Sequence, residues 1–127
     1  MSTIIEMIST GGFPADFSNY VDVESGLRRV GGNQAVYIKL IKSYLSSDTV
    51  TQLKNQIELG DFEGAAMMAH GIKGVSGNLS LILLYETVIK LESRLKQGMV
   101  DEAVKKEFLL ISEKTQEYLQ LLIKTSE

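Results

Sequence analysis

Apolar residues recur at helical spacing along almost the whole chain, and this pattern constrains the fold more than any other feature. The clearest stripe consists of Val104, Phe108, Ile111, Thr115, Tyr118 and Leu122, which lie three or four positions apart. Strand signals are nearly absent. Short connections between long amphipathic helices favour antiparallel neighbours. The sequence therefore predicts an all-α fold, an antiparallel up-and-down four-helix bundle with additional short N-terminal helices.

Capping residues divide this pattern into helices. We expect helices to begin after Asp22, Asn33, Asp48, Asp61 and Asp101, because short polar side chains accept the unpaired N–H groups of a first turn. The helical period resumes from Leu81 to Gln97, and Gly98 suits the position just past a helix end. Residues 1–20 are predicted to be an N-terminal arm or linker, with a helical turn near Ile4 to Ile8 that packs on the bundle edge. Residues 21–127 are predicted to form the helical bundle domain.

The composition excludes several classes of function. A chain of 127 residues with 44% hydrophobic content suits one domain with a substantial core. The absence of cysteine excludes disulfides, zinc-thiolate sites and iron–sulfur clusters. A formal charge of −3 gives no reason to expect nucleic acid as a partner. No apolar stretch approaches the roughly 20 residues of a membrane span, and the N-terminus does not have the pattern of a secretory signal. We therefore expect no membrane insertion of this segment and a cytoplasmic location.

The stretch DFEGAAMMAHGIKGVSGNLS, from Asp61 to Ser80, contains the only histidine and an unusual number of glycines. As a helix, it has a predicted buried face of Ala65, Met68, Ala69, Ile72, Val75, Ser76 and Leu79. His70 then faces solvent. The residues predicted beside it are Glu63, Ala66, Met67, Lys73, Gly74 and Gly77. The glycines could instead end the helix at Gly74, but the apolar face continues beyond that position.

An exposed histidine among small residues suggests chemistry with a large partner. Glycine within a helix costs about 1 kcal/mol relative to alanine, so the glycines point to the close approach of another molecule. A neutral imidazole nitrogen is a nucleophile near neutral pH, and Lys73 supplies a charge and donors for an anion. We interpret His70 as an acceptor of a phosphoryl group. Partner docking is predicted at Ala66, Met67, Gly74 and Gly77.

The motif AHGIKGVSGNLS, from Ala69 to Ser80, resembles the signature of histidine-containing phosphotransfer (HPt) domains of two-component phosphorelays. The resemblance extends upstream to VDVESGLRRVGGN and downstream to LES at Leu91 to Ser93, and covers most of Val21 to Leu122. One position differs, because the family usually has glycine where this chain has Ser80. We expect Ser80 to cap the next helix and to change the turn locally.

The resemblance implies a phosphocarrier and not an enzyme. His70 would accept a phosphoryl group from a receiver-domain phosphoaspartate and pass it to another receiver aspartate, while Lys73 stabilises the phosphoryl group. The implied partners are response-regulator receiver domains, with a hybrid sensor histidine kinase as a further candidate. We expect the domain to be a monomer. The sequence has no acidic cluster around His70 that would hold Mg²⁺, so we assign this ion and most of the catalysis to the receiver and expect no metal ligands or cofactor in this chain.

Glu92 is a candidate for orienting the imidazole. If the chain reverses near Ser80 and Leu81, Glu92 lies at the height of His70 on the neighbouring helix. A carboxylate that accepts a hydrogen bond from Nδ1 would leave Nε2 free to attack, and HPt-like domains often have Glu or Gln there. The alternative is a solvated Glu92 paired with Lys96 at i+4.

Other interpretations of the motif remain to be tested or are disfavoured. The chain could be an HPt-like helical interaction module without phosphotransfer, or an enzyme that uses His70 as base or nucleophile. The Gly-x-x-Gly-x-x-Gly spacing lacks the preceding strand of a nucleotide-binding loop. A soft-metal site at Met67 and Met68 is disfavoured, because the chain has one histidine and no cysteine.

Overall fold

The computed structural model describes residues 3–127, and every regular element in that part of the chain is an α-helix. The eight helices are α1 (Ile4–Ser9), α2 (Phe17–Tyr20), α3 (Val23–Arg29), α4 (Gln34–Ser46), α5 (Thr49–Glu58), α6 (Phe62–Leu79), α7 (Ile82–Lys96) and α8 (Glu102–Ser126). The predicted all-α class is confirmed. None of these helices combines the length and the apolar character needed to cross a bilayer.

Most helices begin at the predicted capping residue. The side chains of Asp22, Asn33, Asp61 and Asp101 each accept a backbone N–H from the first turn that follows, which satisfies donors that have no partner within the helix. Asp48 also precedes a helix, but its backbone is left-handed, with φ of 56°, and its side chain makes no capping hydrogen bond. At the other end of α7, Gly98 follows the helix with φ of +72°, as its predicted position requires.

The longer helices form the bundle. Helices α6, α7 and α8 are successive neighbours joined by short turns, and α4 and α5 both pack on α6. Helix α4 also contacts α8 and closes the bundle. The core includes Tyr37, Ile41, Leu53, Ile72, Leu84, Val88, Leu91, Phe108 and Leu119. The predicted bundle with additional N-terminal helices is therefore confirmed.

The segment predicted as an arm or linker contributes to this core in its described part. Ile4 and Phe17 are buried, and the backbone N–H of Ile4 donates to Gln34 Oε1 at 3.0 Å. The hydroxyl of Tyr118 on α8 donates to the carboxylate of Asp16. The expected helical turn near Ile4 is present as α1, whereas the position of the domain boundary stays a prediction.

Helix α6 runs through Gly74 and ends at Leu79, so the glycines do not terminate it. Two predictions about its faces are wrong. Ala66 is buried, because it lies in the seam with α7. Val75 is 39% exposed, because it lies over an open cleft toward Leu40 on α4. The sequence pattern assumed one buried face for α6, whereas this helix packs against neighbours on several sides.

Candidate functional site

His70 stands at the surface of α6, with 68% of its side chain exposed. Its Nδ1 lies 3.0 Å from Oε2 of Glu92 on α7, while no described residue hydrogen-bonds Nε2. An ionised carboxylate can only accept a hydrogen bond, so Nδ1 must carry the proton. In the neutral ring the lone pair is then on Nε2, which belongs to a largely exposed side chain.

Glu92 is the centre of this site, and its side chain is only 6% exposed. Its Oε1 accepts from Lys73 Nζ at 3.1 Å, and Lys96 Nζ lies 3.8 Å from Oε2, which is too long for a hydrogen bond. Burial by itself raises the pKa of this carboxyl. The hydrogen bonds from Lys73 and His70 and the charges of Lys73 and Lys96 outweigh burial, so the pKa lies below its ordinary value.

Both contacts considered for Glu92 from the sequence are therefore present, and they differ in kind. The contact with His70 is a hydrogen bond between helices, whereas the approach of Lys96 is a looser ion pair within α7. Lys73 has a 30% exposed side chain and is engaged by Glu92. The structure thus brings together His70, Lys73 and Glu92, which we call the site triad. Their functional roles remain predictions.

The predicted docking residues have different surroundings. Met67 is 73% exposed, and a Cβ added at Gly74 would meet nothing within 4 Å. A Cβ added at Gly77 would instead lie 3.2 Å from Cε1 of Tyr85 on α7. Gly74 thus leaves open surface, whereas Gly77 makes room for an intramolecular aromatic ring. Ala66, the fourth predicted docking residue, is buried in the seam between α6 and α7.

Two surface grooves flank the site triad. The first, which we call the His70 groove, is lined by Phe62, Glu63, Ala66, Met67, His70, Glu92, Leu95, Lys96 and Gly98. The second lies toward the other end of the α6–α7 seam, and its lining includes Arg29, Lys73, Gly74 and Tyr85. His70 and Glu92 line the first groove and Lys73 lines the second, so the triad spans the two grooves.

Comparison with protein-family models gives a match to the Hpt domain over residues 45–124. The chain belongs to the Hpt domain family. That match covers more than half of the chain and includes all three members of the site triad. Hpt domains act in phosphotransfer within two-component systems. No curated protein and no solved structure matches the chain significantly.

The unusual serine of this HPt domain does not have the predicted role. Ser80 ends α6 in the left-handed region, with φ of 58° and ψ of 45°, and α7 instead begins after Leu81 without a side-chain cap. The Ser80 hydroxyl donates to Oγ of Ser25 at 2.9 Å. Glycine favours this backbone conformation, which gives a physical reason for the usual residue at this position. The capping prediction for Ser80 is wrong.

Sequence reasoning did not include Tyr85 in the surface beside the site. Its ring covers Gly77, and the residue is 39% exposed. A signal was present, because Gly77 and Tyr85 lie equally far on either side of Leu81, as do His70 and Glu92. The register that pairs the histidine with the glutamate therefore also pairs the glycine with the tyrosine.

The described residues do not form a cluster of three or more His, Cys, Asp or Glu side chains suited to a metal ion. In the His70 groove the carboxylates are Glu63 and Glu92, and Glu92 is already hydrogen-bonded to two side chains.

Proposed function

We propose that this HPt domain is a phosphocarrier that accepts a phosphoryl group from a receiver-domain phosphoaspartate onto His70 and passes it to another receiver aspartate. The observation that carries this proposal is the orientation of one imidazole. Nδ1 is hydrogen-bonded to the buried Glu92 carboxylate, and 68% of the His70 side chain is exposed. A fixed tautomer with a solvent-facing lone pair is what a nucleophilic histidine requires.

In the proposed step, Nε2 attacks the phosphorus atom of the phosphoaspartate in line with the departing oxygen. The Nε2–P bond forms, the P–O bond to the aspartate breaks, and its electron pair remains on the aspartate carboxylate. The ring keeps its proton at Nδ1 and becomes a cationic phosphoimidazolium. Glu92 stabilises that cation through the hydrogen bond at Nδ1, and the reverse step delivers the phosphoryl group to a second aspartate.

Lys73 is assigned to stabilisation of the phosphoryl group. It follows His70 by one helical turn, and its hydrogen bond to Glu92 Oε1 keeps the ammonium group beside the imidazole. Phosphoryl transfer depends mainly on positioning and on charge stabilisation. A partly exposed lysine can supply part of that stabilisation, and its effect should weaken as salt is added.

We assign the remaining requirements to the partner. The receiver would provide Mg²⁺ and most of the catalysis, which makes this domain a carrier and not an enzyme. Docking is proposed over Met67 and Gly74, where the surface is open. Ala66 would contribute by its small side chain in the seam between α6 and α7, and Gly77 by making room for the ring of Tyr85 beside the docking surface. We further propose that the domain is a cytoplasmic monomer and that a hybrid sensor kinase is one of its partners.

Incubation with a phosphorylated receiver tests this function. We expect the wild-type domain to gain an acid-labile, base-stable phosphoryl group, and a folded His70→Gln variant to gain none. Receiver binding without labelling would support an interaction module instead. A folded His70→Gln variant that is still labelled would identify another acceptor and overturn the proposal.

A further inference from the structure

Helix α3 carries a cation and a hydroxyl group beside the site triad. Ser25 and Arg29 lie one helical turn apart on α3 and therefore on the same face of this helix. Both line the second groove, which we call the Arg29 groove and whose lining also includes Lys73, Gly74 and Glu86. Because Lys73 belongs to the site triad, the Arg29 groove connects the triad with α3.

Arg29 has no ion-pair partner in the described part of the chain. Its neighbour Arg28 pairs with Glu24 at 3.3 Å, and Lys73, the other cation of the groove, is bound to Glu92. Arg29 is exposed, and a planar guanidinium group can donate two parallel hydrogen bonds to one carboxylate. Of the two cations in the groove, Arg29 is therefore the one available to a partner.

The hydroxyl of Ser25 is a second donor in the same groove. Its oxygen accepts the hydrogen bond from Ser80 at 2.9 Å, whereas its own hydrogen has no acceptor among residues 3–127. Because Ser80 occupies one side of this oxygen, the Ser25 hydrogen must point elsewhere, and the groove is open to an acceptor. Glycine, the usual residue of the family at position 80, could not make this contact.

The two carboxylates of the groove leave these donors free. Oδ1 of Asp22 accepts the backbone N–H of Ser25 at 3.0 Å and so caps α3. Glu86 belongs to α7 and forms no ion pair with Arg29 in the described chain. A partner carboxylate would be repelled by Glu86, so we place it on the α3 side of the groove.

The chemistry of a receiver domain suits these donors. A receiver that supplies Mg²⁺ must hold this ion with carboxylates, so its surface around the phosphoaspartate is acidic. Docking over Gly74, as proposed above, would bring that surface to the Arg29 groove, because Gly74 lines it. An arginine and a hydroxyl group on one helix face complement an acidic side chain in both charge and hydrogen bonding.

We propose that Arg29 and Ser25 bind an Asp or Glu side chain of the receiver domain. This inference rests on the proposed phosphotransfer, because it concerns the partner that docks over His70. The contact lies outside the chemical step. It should therefore strengthen binding of the receiver without changing the rate of transfer within the bound complex.

The test uses a phosphorylated receiver that labels the wild-type protein, and it measures single-turnover transfer over a range of receiver concentrations. For Arg29→Ala at low salt we expect the half-saturating concentration to rise about 2- to 5-fold, the range of an exposed ion pair. The maximal rate should not change. Arg29→Glu should raise the half-saturating concentration further, because it adds repulsion, and Ser25→Ala should raise it in the same direction. High salt should reduce the effects of the Arg29 variants.

The control is Arg28→Ala, which removes an equal charge from α3 at a residue outside the lining of the groove. Equal half-saturating concentrations for Arg29→Ala and Arg28→Ala would overturn the proposal. So would an Arg29→Glu variant that binds the receiver as well as Arg29→Ala, because the partner group would then not be acidic. A wild-type protein that no phosphorylated receiver labels would instead overturn the proposed function, and this inference with it.

Discussion

At the scale of single residues, the site depends on one buried carboxylate. A charge away from water is costly unless it is paired and hydrogen-bonded, and Glu92 has His70 at one oxygen and Lys73 at the other. These partners keep the carboxylate ionised, and the ionised carboxylate keeps the proton on Nδ1. The orientation of the nucleophile is therefore coupled to the stability of the α6–α7 pair.

Replacement of Glu92 should make this coupling measurable. The pKa of the folded carboxyl is lowered, so its contribution to stability is fully present above the ordinary pKa of about 4.3 and is lost as pH falls through the folded value. We expect Glu92→Gln to lower the free energy of unfolding by about 1 to 2 kcal/mol at pH 7. The difference from wild type should shrink toward pH 3 in urea titrations. A difference that does not change with pH would contradict the assigned ionisation.

Ser80 gives a second prediction at this scale. A left-handed conformation costs a non-glycine residue about 1 kcal/mol, and the hydrogen bond to Ser25 returns part of that cost. We expect Ser80→Gly to raise the free energy of unfolding by about 0.5 kcal/mol. Ser80→Ala should lower it, because alanine keeps the strained backbone and loses the hydroxyl. Denaturant midpoints in the opposite order would show that the hydroxyl matters more than the backbone.

At the scale of elements, the α6–α7 pair is a hairpin whose register places matched residues across the seam. His70 faces Glu92, and Gly77 faces Tyr85. The glycines of α6 thus have two different uses. Gly77 makes space for a side chain of α7, whereas Gly74 leaves space that nothing in the described chain fills.

Alanine substitutions should separate these two uses. Gly74→Ala is expected to stabilise the domain by about 0.5 to 1 kcal/mol, since the added methyl group meets no neighbour and lowers the backbone entropy of the unfolded chain. Gly77→Ala should gain less or lose stability, because Tyr85 would have to shift. Thermal unfolding of the two variants provides the measurement. Equal gains would mean that Tyr85 moves aside without cost.

At the scale of the whole molecule, the N-terminal segment and α8 pack together. The ring centroid of Phe17 lies 4.7 Å from that of Phe13 and 5.6 Å from that of Tyr118. Phe17 itself is buried. Helices as short as α1 and α2 are not stable alone. The packing of side chains such as Phe17 must therefore hold the N-terminal segment in place.

Truncation of Phe17 measures how much this segment contributes. We expect Phe17→Ala to destabilise the domain by about 3 kcal/mol, as is typical of a buried phenylalanine. Phe13→Ala, at a partly exposed ring of the same cluster, should cost clearly less. The comparison uses chemical denaturation monitored by circular dichroism. A Phe17→Ala variant as stable as wild type would indicate that the segment behaves as an arm or linker.

The sequence by itself determined most of the helices and the approximate place of the site, whereas α2 lies in the segment that was predicted to be an arm or linker. Caps such as Asp61 and Asp101 act on N–H groups within one turn, and the apolar period is a property of each segment alone. Counting residues on either side of one turn also made Glu92 a candidate partner of His70, because antiparallel helices preserve that count, but it left open the alternative in which Glu92 pairs with Lys96.

Only the tertiary structure decided which surfaces are covered. Ala66 and Val75 exchanged their expected environments because α6 has neighbours on several sides, and a single stripe cannot describe that arrangement. The left-handed Ser80 and the ring of Tyr85 over Gly77 likewise depend on how α6 turns into α7. Burial and backbone strain arise between elements, so the pattern within one element could not contain them.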